Sequence, residues 1–320
     1  MKTKIEKLPK SAMKLTVTVE NSKIKEFYEK EVAKAIENTE VQGFRKGTAP
    51  REMVIEKVGD SRLYGDTINE ILQVFYPQAL KEHKAVPVSN PKVEIKEFDI
   101  DKDLEFTAEF AVRPEVKVKD YKKAVKKYYD EKKKKIEEDK LEKLKKGELK
   151  PEDADKHEYN HAHIGANEVI EILLENSDIE IADILTEEEV DRQFGNLTKQ
   201  LETISLPIEK YLEAQGKTVD EIRDDFKESA EKNIKTEFIL SHLIKEEGID
   251  IDDSEIDEMI NAAGDPTVSE QMKDPMQRLY IKTILQKNKL LNQIIDDIQG
   301  SHEHSEEHGH KEEKKEEKDE

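Results

Sequence analysis

Polar and apolar residues alternate near the start of the chain. Leu15, Val17 and Val19 are separated by single polar residues, which is the period of a strand with one buried face. After Ser22, a plausible N-cap, apolar residues recur with helical spacing over residues 23–38. The apolar positions of this helix are Ile24, Phe27, Val32 and Ile36. The pattern therefore predicts a strand followed by an amphipathic helix.

Two more helices and a hairpin follow in the sequence. Helices are predicted over about 50–58 and 61–83, and Pro77 should kink the second of them. Alternating stretches around Val93–Ile95 and Phe106–Val112 predict two strands. Together these elements indicate a small α+β domain within residues 1–120.

The composition changes after residue 120. Residues 121–160 are rich in Lys and Glu and poor in large apolar side chains, which predicts a solvated helix or a semi-flexible linker. Residues 161–299 have helical periodicity throughout. Capping boxes at Thr186-x-x-Glu189 and Thr218-x-x-Glu221 predict helix starts. The predicted helices here are 187–203, 219–247 and 270–299.

Histidines occur in two groups that invite a metal site. The tail, residues 300–320, has no apolar residues able to form a core, so we expect it to be disordered. Its histidines could bind Zn²⁺ or Ni²⁺, but a solvated polar tail is the favoured interpretation. In the other group, at residues 157–163, only one pair of histidines would share a helix face and the acidic residue of an HExxH site is missing. No metal site is therefore assigned there. The two groups are His302, His304, His308 and His310, and His157, His161 and His163.

Composition narrows the class of protein. The 320 residues include no cysteine, so neither a disulfide framework nor thiol chemistry is available. We expect neither a secretory signal nor a membrane span, because the first residues lack an apolar stretch and no long apolar run exists. The net charge of −21 lies mainly in residues 161–300, whereas residues 1–120 carry equal numbers of basic and acidic side chains.

Nucleotide-binding and hydrolase motifs are missing from the sequence, so we expect a protein that is not an enzyme and binds no cofactor.

The most specific stretch is GFRKGTAP, residues 43–50. Its two glycines permit backbone angles that other residues avoid, and its proline suits the first position of a helix. An aromatic residue and two cations therefore stand at the tip of a tight loop. From chemistry alone, Phe44 could equally fold into the core or meet a partner.

GFRKGTAP, followed by VIEKVG, resembles the ribosome-docking signature of trigger factor, a family of bacterial chaperones at the polypeptide exit tunnel. The resemblance covers about residues 1–120 and 160–299, and Thr48 stands where the family commonly has lysine. It implies an α+β N-terminal ribosome-docking domain followed by an elongated all-α chaperone domain with helical arms. Asn176–Phe194 resembles the arm-forming region. The implied ribosome-binding residues are Gly43, Phe44, Arg45, Lys46, Gly47 and Pro50.

The resemblance also implies partners and a location. An ATP-independent cytoplasmic chaperone would bind a tunnel-exit ribosomal protein, rRNA and nascent or unfolded chains, assist folding and export, and form a homodimer off the ribosome. The basic run Lys132–Lys135 could touch rRNA, although a solvated face is favoured. The client-binding candidates, each of which could equally pack internally, are Phe194, Leu197, Leu201, Ile204, Leu206, Ile208, Tyr211 and Leu212.

Two alternatives remain. Longer family members carry an FKBP-type prolyl isomerase domain at about residues 121–160, but the forty residues here include a single glycine, Gly147, and cannot form its aromatic pocket. We therefore expect that domain to be absent, which disfavours a peptidyl-prolyl isomerase. A helical holdase without ribosome contact, such as a periplasmic chaperone, is the other alternative, and the expected lack of a secretory signal disfavours it.

Overall fold

The structure, a computed structural model, describes residues 1–148, 162–262 and 274–300. Dense internal contacts divide the chain into two compact units. Unit 1 comprises Met1–Lys117 and Asp178–Phe238, and unit 2 comprises Val118–Ser177 and Ile239–Glu320. The predicted boundaries at residues 121, 161 and 300 stay a prediction. Unit 1 nonetheless takes its chain from two separate stretches.

Regular elements account for most of the described residues. The first part of unit 1 contains β1 (Lys2–Leu8), β2 (Ala12–Val19), α1 (Asn21–Asn38), α2 (Arg51–Val58), α3 (Asp60–Glu82), β3 (Lys92–Ile95) and β4 (Leu104–Ala111). The following elements are β5 (Lys117–Val118), α4 (Tyr121–Lys146), α5 (Ala166–Glu175), β6 (Ser177–Asp178), α6 (Asp183–Thr203), α7 (Ile208–Gln215), α8 (Val219–Glu246), α9 (Asp253–Ala262) and α10 (Pro275–Gln299). The predicted class, an α+β part followed by helices, is confirmed.

A four-stranded antiparallel sheet forms the core of unit 1. Its order is β1-β2-β4-β3, and Leu15 lies opposite Ala108 while Val17 lies opposite Phe106. The alternating apolar residues of β2 and β4 are fully buried and pack with Ile24 of α1 and Ile71 of α3. The sequence pattern thus identified the two central strands correctly. It missed the edge strand β1, whose alternation is weak because charged residues occupy most of its positions.

Two predicted helix starts were wrong. The first helix starts at Asn21 instead of after Ser22, and Asp103 accepts the Asn21 backbone N–H at 2.8 Å. The carboxylate from the loop before β4 therefore caps this helix end in place of a side chain close in the sequence. α6 likewise starts at Asp183, so Thr186 lies inside the helix, buried, and caps nothing.

The other stop and start signals agree better with the structure. Thr218 and Glu221 form the predicted capping box, with the Thr218 N–H donating to Glu221 Oε2 at 2.7 Å and the Glu221 N–H donating to Thr218 Oγ1 at 3.3 Å. Gly216 ends α7 in the left-handed conformation, with φ of 64°. α3 passes through Pro77 without ending there. α7 itself was not predicted as a separate helix.

The Lys/Glu-rich segment is helical as far as the structure describes it. α4 runs from Tyr121 to Lys146, with Gly147 at its C-cap. The rest of this segment, including His157 and His161, lies outside the described residues, as do the tail histidines. Within the described ranges, no group of residues is arranged to hold a metal ion. None of the described helices has the length and apolar character needed to cross a bilayer.

Candidate functional site

The loop between α1 and α2 consists of two consecutive tight turns. The Phe44 N–H donates to the Val41 carbonyl at 3.0 Å, and the Thr48 N–H donates to the Arg45 carbonyl at 3.0 Å. In each turn a glycine holds the third position, with φ of 88° at Gly43 and 84° at Gly47. Positive φ at that position alone is the geometry of a type II turn, which strongly favours glycine. The spacing of the two glycines therefore sets the shape of the loop.

Both ends of the loop are buried while its middle is exposed. Val41 and Ala49 pack with Val54 of α2 in a small apolar cluster. Every residue from Gln42 to Thr48 is exposed. Burial on either side of the two turns holds the intervening segment away from the core.

Phe44 lies on the surface and not in the core. Its exposed fraction is 41%, and Arg45 and Lys46 next to it are exposed as well. The Phe44 ring lines a shallow cavity of about 420 Å³ together with Lys46 and Lys57. The structure thus excludes the interpretation in which Phe44 folds into the core, since the ring is presented to solvent beside two cations, and its meeting a partner stays a prediction.

An ion pair and a hydrogen bond connect α2 with α1 and with the start of the loop. Arg51 of α2 binds the Glu29 carboxylate of α1 through both guanidinium nitrogens, with Nη2 at 2.8 Å from Oε1. This contact lowers the pKa of Glu29. Lys57 Nζ donates to the Glu40 carbonyl at the start of the loop. These contacts tie α2 to α1 on both sides of the two turns. Pro50 occupies the N-cap position of α2, one residue earlier than predicted.

Two family models match the chain. Residues 1–147 match the model described as "Bacterial trigger factor protein (TF)". Residues 140–301, half of the chain, match the model described as "Bacterial trigger factor protein (TF) C-terminus". The chain belongs to the trigger factor family. The two matches overlap at residues 140–147 and so leave no interval between them for an isomerase domain.

Curated trigger factors resemble the chain over part of their length. The trigger factor of Clostridium tetani is 39% identical over 122 residues, which are 38% of this chain and 28% of that protein. The trigger factor of Clostridium kluyveri is 37% identical over 141 residues, covering 43% of this chain and 33% of that protein. The match thus spans a third or less of the length of these relatives.

A solved structure supports the fold over nearly the whole chain. It is described as "Promiscuous Substrate Recognition in Folding and Assembly Activities of the Trigger Factor Chaperone". The TM-score is 0.61 at 15% identity, and the match covers 93% of this chain and 100% of the other. The likeness shows a trigger factor fold in both parts of the chain.

The client-binding candidates lie along the end of α6, the turn after it and α7. Leu201 is buried, with 6% of its surface exposed, so it contributes to packing. Ile204 is 68% exposed, and the Arg223 guanidinium lies 5.8 Å from the centre of the Phe194 ring. Intermediate exposure is shared by the other candidates, which are Leu197, Leu206, Ile208, Tyr211 and Leu212. Their role in client binding stays a prediction.

Sequence reasoning missed a cavity of about 770 Å³ in unit 1. Its wall combines the turn after β1, the chain from Ile179 to Val190 and one side of α8. The ion pair from Lys10 Nζ to Asp183 Oδ1, at 2.7 Å, joins residues 173 positions apart in the sequence. Apolar side chains and charges of both signs line the cavity, including Ile181, Arg223 and Glu231. Since its walls come from distant segments, no local motif indicates it.

Proposed function

We propose that this chain is an ATP-independent, cytoplasmic, ribosome-associated chaperone that holds nascent and unfolded polypeptides at the tunnel exit. The observation that carries the proposal is the loop at residues 43–50, which presents Phe44, Arg45 and Lys46 to solvent on two glycine turns with buried ends. A loop already held in one shape loses little conformational entropy on binding. Family membership supports the same function.

Docking uses the two kinds of group at the loop tip. Arg45 and Lys46 can bind phosphates of rRNA or carboxylates of a tunnel-exit ribosomal protein. The Phe44 ring can enter an apolar hollow between these contacts, where aromatic anchors commonly carry much of the binding energy. Residues 1–120 have no net charge, so the acidic remainder of the chain does not prevent this approach.

Client holding uses surfaces that are only partly apolar. The 770 Å³ cavity and the exposed side chains around Ile204 offer apolar groups separated by charged ones. Each apolar contact contributes about 1 kcal/mol or less, so an unfolded chain is held weakly and can leave to fold. Release of the client therefore needs no nucleotide. We propose further that the chain has no prolyl isomerase activity.

Co-sedimentation with ribosomes tests the docking role. We expect the triple variant Phe44→Ala, Arg45→Ala and Lys46→Ala to lose binding while helical content stays unchanged. Removing two desolvated charge interactions costs about 2–5 kcal/mol, enough to abolish pelleting. The matched control replaces two exposed lysines and one exposed apolar residue in and just after the last turn of α3, Lys81→Ala, Lys84→Ala and Val86→Ala. Equal pelleting of the triple variant and the wild type would refute the docking assignment.

Suppression of client aggregation tests the holding role separately. The wild type and the loop variant should both suppress aggregation of a denatured client at stoichiometric amounts without ATP. A chain that suppresses aggregation but never pellets with ribosomes would be the ribosome-free holdase considered as the alternative.

A further inference from the structure

The first half of α4 carries an exposed row of lysines. Residues 122–135 contain eight lysines but two acidic residues, Asp130 and Glu131. At 100° per residue, five of the lysines share about 120° of the helix circumference and extend for about 16 Å along it. These five residues, here called the lysine face, are Lys123, Lys126, Lys127, Lys133 and Lys134.

Packing within unit 2 holds the lysine face outward. Tyr121 and Val125 are buried on the opposite side of α4. Lys132 also points inward, with its Nζ 2.7 Å from Glu168 Oε1 and 2.6 Å from the His163 carbonyl oxygen. Of the sequential run Lys132–Lys135, the first member is therefore used inside the unit, whereas Lys133 and Lys134 belong to the lysine face.

Among the described residues, the lysine face forms fewer ion pairs than the second half of the same helix. In the described part of the chain, Lys127 has a distant partner in Glu131 at 3.8 Å, and the other four lysines form no ion pair. The second half of α4 differs, because Asp139 pairs with Lys143 at 2.8 Å and Glu142 pairs with Lys146. Alternating charges thus stabilise one half of the helix and like charges crowd the other.

The crowding opposes helix stability in two ways. Lys123 and Lys127 stand four residues apart, a spacing at which like charges destabilise a helix. The first turn of α4 contains lysines and no acidic residue at the positive end of the helix dipole, so the N-cap Asp120, which accepts the Lys123 N–H at 3.2 Å, is the carboxylate that offsets them there. A row of like charges that opposes helix stability, with one long ion pair to compensate it among the residues that the structure describes, indicates a surface kept for binding.

We propose that the lysine face binds the phosphate backbone of ribosomal RNA as a second contact, in addition to the loop at residues 43–50. The partner is a polyanion because a row of separate ammonium groups fits a line of phosphates and requires no fixed geometry. The chain carries a net charge of −21, so approach to RNA needs a local surface of opposite sign. This inference rests on the proposed ribosome docking, which brings the chain to an RNA surface.

The test compares salt dependence of binding to purified ribosomes. We expect replacement of the five lysines by glutamine to weaken binding at low salt and to make the slope of log K against log salt less steep. The steepness of this slope should decrease by about 0.7–0.9 for each phosphate that the variant no longer neutralises. The corresponding arginine variant, which keeps the charges, should bind like the wild type. A charge-matched control replaces five exposed lysines of unit 1 by glutamine, namely Lys2, Lys7, Lys81, Lys84 and Lys210.

Outcomes separate this inference from the docking proposal. Loss of binding in the Phe44, Arg45 and Lys46 variant tests the loop alone. If the glutamine variant keeps the wild-type slope and affinity, or is weakened no more than the charge-matched control, the lysine face does not bind RNA. A variant that binds ribosomes normally but holds an acidic denatured client less well would assign the lysine face to clients and overturn the proposal. Binding to protein-stripped ribosomal RNA gives a second measurement, with the lysine face altered in the Phe44, Arg45 and Lys46 variant. The added glutamine substitutions should still make binding less dependent on salt than it is in the loop variant alone.

Discussion

Thr48 donates two hydrogen bonds to the carbonyl oxygen of Arg45, from its N–H at 3.0 Å and from its Oγ1 at 2.7 Å. The side chain thus reinforces the bond that closes the second turn of the loop. The turn carries Arg45 and Lys46, so the hydroxyl fixes the backbone that presents them. At the position where the resemblance noted from the sequence would place a lysine, the Thr48 side chain supplies a hydrogen bond within the turn instead of a charge.

Removing the Thr48 hydroxyl should weaken docking. We expect Thr48→Val, which keeps the shape of the side chain, to lower ribosome affinity about 2- to 10-fold, since one hydrogen bond contributes about 0.5–1.5 kcal/mol. Thr48→Ser should bind like the wild type. Titration of ribosomes with labelled protein measures both. Equal affinities for the valine and serine variants would show that the hydroxyl has no part in docking.

Replacing Thr48 by lysine tests two opposing effects. The new cation should strengthen binding at low salt and steepen its salt dependence by about one phosphate contact. The missing hydroxyl should loosen the turn, so the gain in affinity should vanish at high salt. The second effect follows from the Thr48 hydrogen bond to Arg45, which only the structure shows.

The two turn glycines should resist substitution for conformational reasons alone. A Cβ added at Gly43 or Gly47 would meet nothing within 4 Å, so the cost comes from the positive φ. We expect Gly43→Ala and Gly47→Ala to lower the free energy of unfolding by about 1–2 kcal/mol each, if the loop keeps its shape. If the loop distorts instead, the variants should bind ribosomes poorly. Urea unfolding and ribosome titration distinguish these results. The control is Gly195→Ala, inside α6 and equally unobstructed, which should stabilise by about 0.5–1 kcal/mol.

Stability of unit 2 should depend on the ionisation of Glu168. Partial burial opposes its charge, but hydrogen bonds from Lys132, the Gly165 N–H and Tyr128 outweigh burial and hold its pKa at about 2. A lowered folded-state pKa stabilises the fold above the ordinary value of 4.5, and this stabilisation is lost as the pH falls towards 2. We expect Glu168→Gln to cost about 1–3 kcal/mol at neutral pH and progressively less below pH 4.5.

Thermal unfolding followed between neutral and acidic pH measures this difference. Glu175→Gln, an exposed position on the same helix, is the control and should follow the wild type. A gap between wild type and Glu168→Gln that stays constant with pH would contradict the assigned ionisation.

The chain should not catalyse prolyl isomerisation. Such catalysis needs a dry aromatic pocket, and the two family matches meet at residues 140–147 with no domain between them. A protease-coupled assay on a short proline peptide should give the uncatalysed rate. Catalysis above background would place the activity in a part of the chain not assigned to it.

Local patterns predicted the elements that local physics determines. The alternation at Leu15, Val17 and Val19 gave a central strand because both the period and the burial are local. The glycines of the loop likewise predicted its turns. Ser22 misled because Asp103, from a remote loop, accepts the first N–H of that helix, and Thr186 misled because α6 begins one turn earlier, after Ala182. The 770 Å³ cavity was missed because Lys10 and Asp183 meet only in the folded protein.

The two-part composition of unit 1 has a consequence for synthesis of the protein itself. The four-stranded sheet needs only residues 2–111, so it can close while the rest of the chain is still being made. Ala12 and Ala111 pack against Ala182, however, and that cluster must wait until the ribosome has added the whole intervening segment. During this interval the nascent protein exposes the apolar surface that its own later residues will cover. It is therefore, for a time, an incomplete chain with exposed apolar surface, which is the kind of substrate on which the proposed holding activity would act.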